Sequence, residues 1–238
     1  MATEGFVPIS YAGRMGIRKT VASSAGSKVA PKFASNYVRT VLDKAIDGFG
    51  PMKSAAASAD AKLVDNAGDV ELAIRGLIRL HTGLAGVQGF VTNLGGVAAV
   101  AVAVPANVVG VTLVQCHLVA GIAHLRGYDL EDPRVRNAIL ACMLGEDTVD
   151  DLVKKKKLPS SPMALATSPV HDPELDRRVA AEVTTELFGK VAGRRAATLI
   201  GRRVPLLGGG VGAASDGMST YQIGTYAAKE LKDRRLHR

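Results

Sequence analysis

The feature that most restricts the fold of this chain is a long central stretch without a fully charged side chain. From Leu80 to Leu125 the sequence contains no Asp, Glu, Lys or Arg. Such a stretch must be buried in protein or in lipid, because exposed apolar surface is unfavourable in water. About 20 apolar residues span a bilayer, so residues 94–114 are long enough to form a transmembrane helix.

Pro105 divides this stretch and leaves three interpretations open. A proline inside a helix costs about 3 kcal/mol, whereas the first helical turn accepts it. The chain is therefore predicted to break between Val104 and Asn107 into a hairpin of two shorter helices. This hairpin is either buried within the protein or dips into a membrane, and a single transmembrane helix is the third interpretation.

Apolar residues spaced three and four apart predict helices in most of the remaining chain. A second Val-Pro step, Val204–Pro205, follows another Gly- and Ala-rich stretch and resembles the first. The predicted fold class is all-α, a helical bundle with two Gly/Pro-broken apolar helical hairpins. Three of the predicted helices cover 33–46, 107–124 and 221–231. Two more are predicted to begin after the N-caps Asp69 and Asp132, and another is predicted to begin near Pro173. Residues 52–68 are predicted to form either a helix or a connector.

The predicted organisation is one helical domain after a basic tail. Residues 1–32 contain five basic residues and one acid, which is typical of a flexible tail; an organelle transit peptide is the alternative. Residues 33–238 are predicted to form a single domain. Within it, 158–173 is rich in Pro, Ser and Thr and is predicted to be an internal loop.

Charge and composition favour an anionic lipid surface over nucleic acid as a partner. The net charge is +8, but aromatic residues make up only 4% of the chain and Trp is absent, so base-stacking platforms are scarce. The two cysteines, Cys116 and Cys142, lie in apolar segments and form no disulfide framework. We therefore expect a cytoplasmic protein, peripheral attachment to the inner face of the cytoplasmic membrane being an alternative.

Catalytic and metal-binding signatures are not recognisable in the sequence. It contains no P-loop, zinc-protease motif, EF-hand loop or nucleophile elbow, so no cofactor or catalytic residue is predicted. The candidate metal ligands are His117 and His124, seven residues apart on one helix, together with Glu146. The alternative is that these histidines are hydrogen-bonded inside a bundle.

Twelve residues are candidates for contact with lipid or a protein partner, because they are apolar at the proline breaks or basic. Lysines near a membrane contribute about 1 kcal/mol each. Small residues four apart, such as Thr220, Gly224 and Ala228 or the series starting at Gly189, predict close helix packing. The contact candidates are Val100, Val102, Val104, Pro105, Lys154, Lys155, Lys156, Lys157, Arg202, Arg203, Leu206 and Leu207.

Several sequence blocks resemble the EcsC protein family. They are TGLAGVQGF at 82–90, VPAN at 104–107, GIAHLRGYDLEDP at 121–133 and VPLLGGGVG at 204–212. The resemblance spans roughly residues 35–232 and implies no catalytic residues, because the family has no established biochemical role. We expect a non-enzymatic, membrane-surface protein that interacts with lipid or a membrane protein. The alternatives are a soluble scaffold, a homo-oligomerising protein and, third, a metal-dependent enzyme.

Overall fold

A computed structural model describes residues 31–86, 106–200 and 208–234 of the chain. These residues form nine α-helices, and their only strand-like pairing is an isolated bridge between Phe49 and Met52. The all-α prediction is confirmed. The helices are α1 (Pro31–Asp47), α2 (Ala55–Asp65), α3 (Val70–Gly86), α4 (Ala106–Leu125), α5 (Pro133–Cys142), α6 (Glu146–Lys154), α7 (Pro162–Ala166), α8 (Pro173–Ile200) and α9 (Gly208–Glu230).

Helix α4 is the centre of the bundle. It packs against α1, α2, α3, α5 and α9. From Val109 to Ala123 nearly every side chain is buried, whichever side of the helix it lies on. A helix that is apolar all round is stable only when it is enclosed, and its neighbours provide that enclosure. The prediction of a central helix at 107–124 is confirmed, and the helix begins at Ala106, directly after Pro105.

Local capping signals explain where several helices begin. Asp69 Oδ1 accepts a hydrogen bond from the backbone N–H of Leu72 at 2.9 Å. Asp132 Oδ1 accepts one from Arg134 N at 2.8 Å, with Pro133 in the first turn of α5. Each cap satisfies a backbone donor that would otherwise lack a partner at the helix start. Both predicted N-caps are confirmed.

The direction of three helices follows from their contacts. Leu77 of α3 lies against Gly121 of α4, and Ile78 lies against Gly224 of α9. Further along α3, Thr82 meets Gly217, which comes earlier in α9. Helix α3 is therefore antiparallel to α9 and, because His81 contacts His117, also antiparallel to α4.

One end of the bundle consequently gathers three helix termini. Helix α3 ends there at Gly86, while α4 and α9 begin there at Ala106 and Gly208. We call it the attachment end, since both undescribed internal segments, 87–105 and 201–207, are attached to it. The prolines of both predicted breaks, Pro105 and Pro205, fall within these two segments and lie outside the described residues.

Glycines allow two of these helices to approach α4 closely. A Cβ at Gly224 would lie 2.9 Å from both Ile78 Cγ1 and Leu118 Cδ2, and one at Gly121 would lie 3.3 Å from Leu77 Cδ1. The close packing predicted around Thr220 and Gly224 is confirmed. It does not extend to Gly189, where an added Cβ would meet nothing within 4 Å.

Three elements differ from the sequence prediction. Residues 146–154 form α6, with Val149 and Leu152 buried, a helix that was not among those predicted from the sequence. The short helix α7 lies inside the predicted loop at 158–173. Helix α9 begins at Gly208, well before the predicted start near Tyr221. Across the described residues, no helix is both long enough and apolar enough to span a membrane.

Candidate functional site

The three candidate metal ligands lie apart from one another. His124 Nε2 lies 2.8 Å from Asp60 Oδ1 of α2. Glu146 forms an ion pair with Lys229 of α9. His117 faces the bundle interior and has different partners. In the described part of the chain, no group of three or more His, Cys, Asp or Glu side chains is arranged to hold a metal ion.

A buried pair of histidines connects α3 and α4. His81 Nε2 lies 2.8 Å from His117 Nδ1, and the two rings stack with centroids 5.1 Å apart. His81 Nδ1 lies 2.8 Å from the carbonyl oxygen of Leu77, and His117 Nε2 lies 3.0 Å from that of Lys53. His81 has no exposed surface and His117 is 1% exposed. The four groups thus form one chain of polar contacts inside the bundle.

Burial controls the charge of this pair. The pKa of His81 is lowered to about 4, mainly by desolvation of the cationic ring and also by the neighbouring His117, while the Leu77 carbonyl acts in the opposite sense. Burial also lowers the pKa of His117, against the effect of the Lys53 carbonyl. Both rings therefore favour the neutral form at pH 7.

The pairing of His81 with His117 was not predicted from the sequence. The residue numbers of Leu77 and Gly121 have the same sum as those of His81 and His117, as expected for facing positions in antiparallel helices. This register is the signal that could have revealed the pair. It becomes available only when one contact between α3 and α4 is known.

A second buried polar group lies between α4 and α9. Gln115 Nε2 donates to Thr220 Oγ1 at 3.1 Å, and Thr220 Oγ1 donates to the Asp216 carbonyl oxygen at 2.8 Å. Gln115, Thr220 and Asp216 are buried. These hydrogen bonds connect α4 and α9 inside the bundle.

An acidic groove lies beside the opposite end of α4. Its volume is about 430 Å³, and its lining includes His124 and the block Tyr128–Glu131 that carries much of the family resemblance. Asp47, Asp129 and Glu131 contribute carboxylates to it. Asp129 Oδ1 accepts a hydrogen bond from Glu131 N at 2.9 Å, so part of this acidity stabilises the turn before α5.

The lysine block is exposed and partly neutralised. Lys155 pairs with Asp151 at 2.6 Å and Lys157 with Glu182 at 3.4 Å, while Lys154 and Lys156 are also exposed. Helix α6, which ends in this block, begins beside Lys229 of α9. That position lies about 30 Å along α9 from Gly208, at 1.5 Å per residue. The start of α6 and the attachment end are thus at different ends of α9.

The other eight candidate contact residues belong to segments 87–105 and 201–207. Val100, Val102, Val104 and Pro105 lie outside the described residues, as do Arg202, Arg203, Leu206 and Leu207. Their attachment points, Gly86, Ala106 and Gly208, are described and lie together at the attachment end.

Comparison with known proteins identifies the family of this helical bundle. The model of the EcsC protein family matches residues 36–236, which is most of the chain. The chain therefore belongs to the EcsC protein family, as its sequence blocks indicated. A search of curated proteins and a search of solved structures each found no match.

Proposed function

We propose that this protein acts at a membrane surface, without catalysing a reaction, and that it contacts anionic lipid through the attachment end of the bundle. The observation that carries the proposal is the shared position of Gly86, Ala106 and Gly208. Both proline-containing apolar segments of the sequence start from this end, so one surface could receive both.

The charge pattern near the same end supports the proposal. Segment 87–105 contains no charged residue, whereas 201–207 contains Arg202 and Arg203 next to Val-Pro-Leu-Leu. The last turns of α8, just before this second segment, contain Arg194 and Arg195 and no acid. Apolar side chains flanked by arginines are typical of proteins that insert shallowly and bind anionic head groups.

The lysine block has a smaller role in this proposal. Two of its four lysines have acidic partners, and the helix that leads into it begins beside Lys229, about 30 Å along α9 from Gly208. We expect it to add general electrostatic attraction, which salt screens, but not to direct insertion.

Vesicle flotation of the purified chain tests the proposal. The protein should float with vesicles that contain anionic lipid, and less with neutral ones. The double variants V100E/V102E and L206E/L207E should reduce flotation at least about tenfold, since burying a charge in lipid is costly. Val64→Glu is the matched control, because Val64 is 79% exposed on α2, far from the attachment end.

Two results would contradict the proposal. One is a folded wild-type protein that floats with neither kind of vesicle. The other is equal flotation of the segment variants and Val64→Glu. A defined oligomer that ignores lipid would instead favour the scaffold, and capture by a membrane protein without lipid binding would favour a protein partner.

A further inference from the structure

The contacts of the buried histidine pair require more protons than two neutral rings possess. A carbonyl oxygen only accepts hydrogen bonds, so donation to Leu77 O and to Lys53 O needs a proton on His81 Nδ1 and on His117 Nε2. The contact between His81 Nε2 and His117 Nδ1 needs a third proton. Each neutral imidazole carries one proton, so the neutral pair leaves one of the three contacts unbonded.

The surroundings indicate which contact lacks its proton. The Lys53 carbonyl precedes α2, and among the described residues only His117 donates to it. The Leu77 carbonyl already accepts the backbone N–H of residue 81 within α3. Losing a donor therefore costs less at Leu77 than at Lys53, because a buried acceptor without a partner is destabilising.

We propose that His81 and His117 form one proton-binding site, which holds two protons in its neutral state and takes up a third at His81 Nδ1. In the neutral state His81 Nε2–H donates to His117 Nδ1, and His117 Nε2–H donates to Lys53 O. The third proton comes from solvent and adds to the free lone pair of His81 Nδ1. The chain from Leu77 through both rings to Lys53 then has all three hydrogen bonds.

Titratable and aromatic groups from several elements lie in the region of the pair. From α4, Cys116 is buried and burial raises the pKa of its thiol to about 12, so it is neutral. Tyr37 of α1 has a pKa that is also raised by burial. Phe49, which follows the end of α1, has a ring that meets His117 edge-on at 6.0 Å. The Lys53 side chain is exposed. On α9 the acid of this region is Asp216, next to Gly217, which faces Thr82.

The direction of the pH effect follows from this burial. The pKa values of both rings are lowered in the folded state, so between about pH 6.5 and 4 the unfolded chain binds more protons. The contribution of the neutral pair to the free energy of unfolding is therefore fully present above about pH 6.5 and is lost as the pH falls through this range. For each additional proton that the unfolded chain binds relative to the folded protein, the unfolding constant rises about tenfold per unit fall in pH.

Nitrogen-15 NMR of the histidine rings in the full chain tests the site directly. Above pH 7.5 both rings should be neutral Nε2–H tautomers, and on acidification His81 should gain its Nδ1 proton first. In His117→Phe, His81 loses its acceptor, so its neutral tautomer should change to Nδ1–H, donating to Leu77. His124→Gln, which removes the partly exposed imidazole beside Asp60, is the control and should leave both signals unchanged.

Other NMR results would overturn the proposal. It is wrong if His81 is an Nδ1–H tautomer in the neutral wild-type protein, or if the rings titrate independently near pH 6.5. If His117→Phe does not fold, the proposal is tested instead by the unfolding constant of the wild-type protein, measured by denaturant titration between pH 7 and 5. It should rise about tenfold or more per pH unit below pH 6, and a rise no steeper in wild type than in His81→Gln contradicts the shared site.

Discussion

The contact of α9 with α3 and α4 at Gly224 offers a sharp test of the packing. Replacing Gly224 by alanine would place a Cβ 2.9 Å from Ile78 Cγ1 and 2.9 Å from Leu118 Cδ2. Both distances are well below van der Waals contact, so one side chain must move or α9 must shift. Ile78 and Leu118 are buried within the same core, which leaves little space for either movement.

Two opposing effects set the magnitude. Overpacking of a core costs about 1–3 kcal/mol, while alanine is favoured over glycine inside a helix by about 1 kcal/mol. Gly224→Ala should therefore lower the free energy of unfolding by about 1 kcal/mol, and Gly224→Val should lower it more, because valine adds bulk and has a weaker helix preference.

Gly83→Ala is the matched control. Gly83 lies on the exposed side of α3, and a Cβ there would meet nothing within 4 Å. Only the helix preference remains, so this variant should gain about 0.5–1 kcal/mol. Thermal and denaturant unfolding should show opposite shifts, with 1 kcal/mol worth about 2–4 °C in Tm for a chain of this size. Equal stabilisation of both variants would refute the close packing of α9.

Two further predictions concern buried side chains. Arg126 joins Glu71 of α3 to the Ala228 carbonyl of α9 and is only 11% exposed, so Arg126→Gln should cost about 1–3 kcal/mol in denaturant unfolding. The exposed Arg177, paired with Glu174, is its control, and Arg177→Gln should change stability by less than about 0.5 kcal/mol. Burial raises the pKa of Cys116 to about 12 and also raises that of Cys142. At pH 8 a thiol reagent should therefore modify the folded protein about a thousandfold more slowly than the unfolded chain; rapid modification of both thiols in the folded state would contradict their burial.

Local sequence signals predicted much of the fold. Asp69 and Asp132 were recognised as caps because a short acidic side chain before an apolar periodic run satisfies a backbone donor. Helix α4 was recognisable because few arrangements other than central burial suit a helix that is apolar on every side. These features depend on neighbouring residues in the sequence.

The elements that were missed depend on tertiary contacts. In α6 the charged residues obscured the buried positions Val149 and Leu152, which pack against the core. The start of α9 was missed because three consecutive glycines have low helix propensity. Packing against α3 and α4 at Gly217 and Gly224 stabilises the same helix further along, and no local rule reports that.

The candidate sites also combine features that the sequence shows with features that depend on tertiary contacts. The composition of the apolar segments was evident from the sequence, whereas their attachment to one end required the antiparallel direction of α3. The interpretation of His117 as a hydrogen-bonded core residue agrees with its contacts. Its partner could not be identified, since the register of α3 and α4 is set by packing around Leu77 and Gly121.

The enclosure of α4 also has a consequence for biosynthesis. Helices α1 to α3 leave the ribosome before α4, but α9, which covers another side of it, begins at Gly208. At about 5–20 residues per second, translation from Leu125 to Gly208 takes roughly 4–17 s. Throughout that interval the side of α4 that α9 later covers remains exposed, and exposed apolar surface makes a nascent chain prone to aggregation.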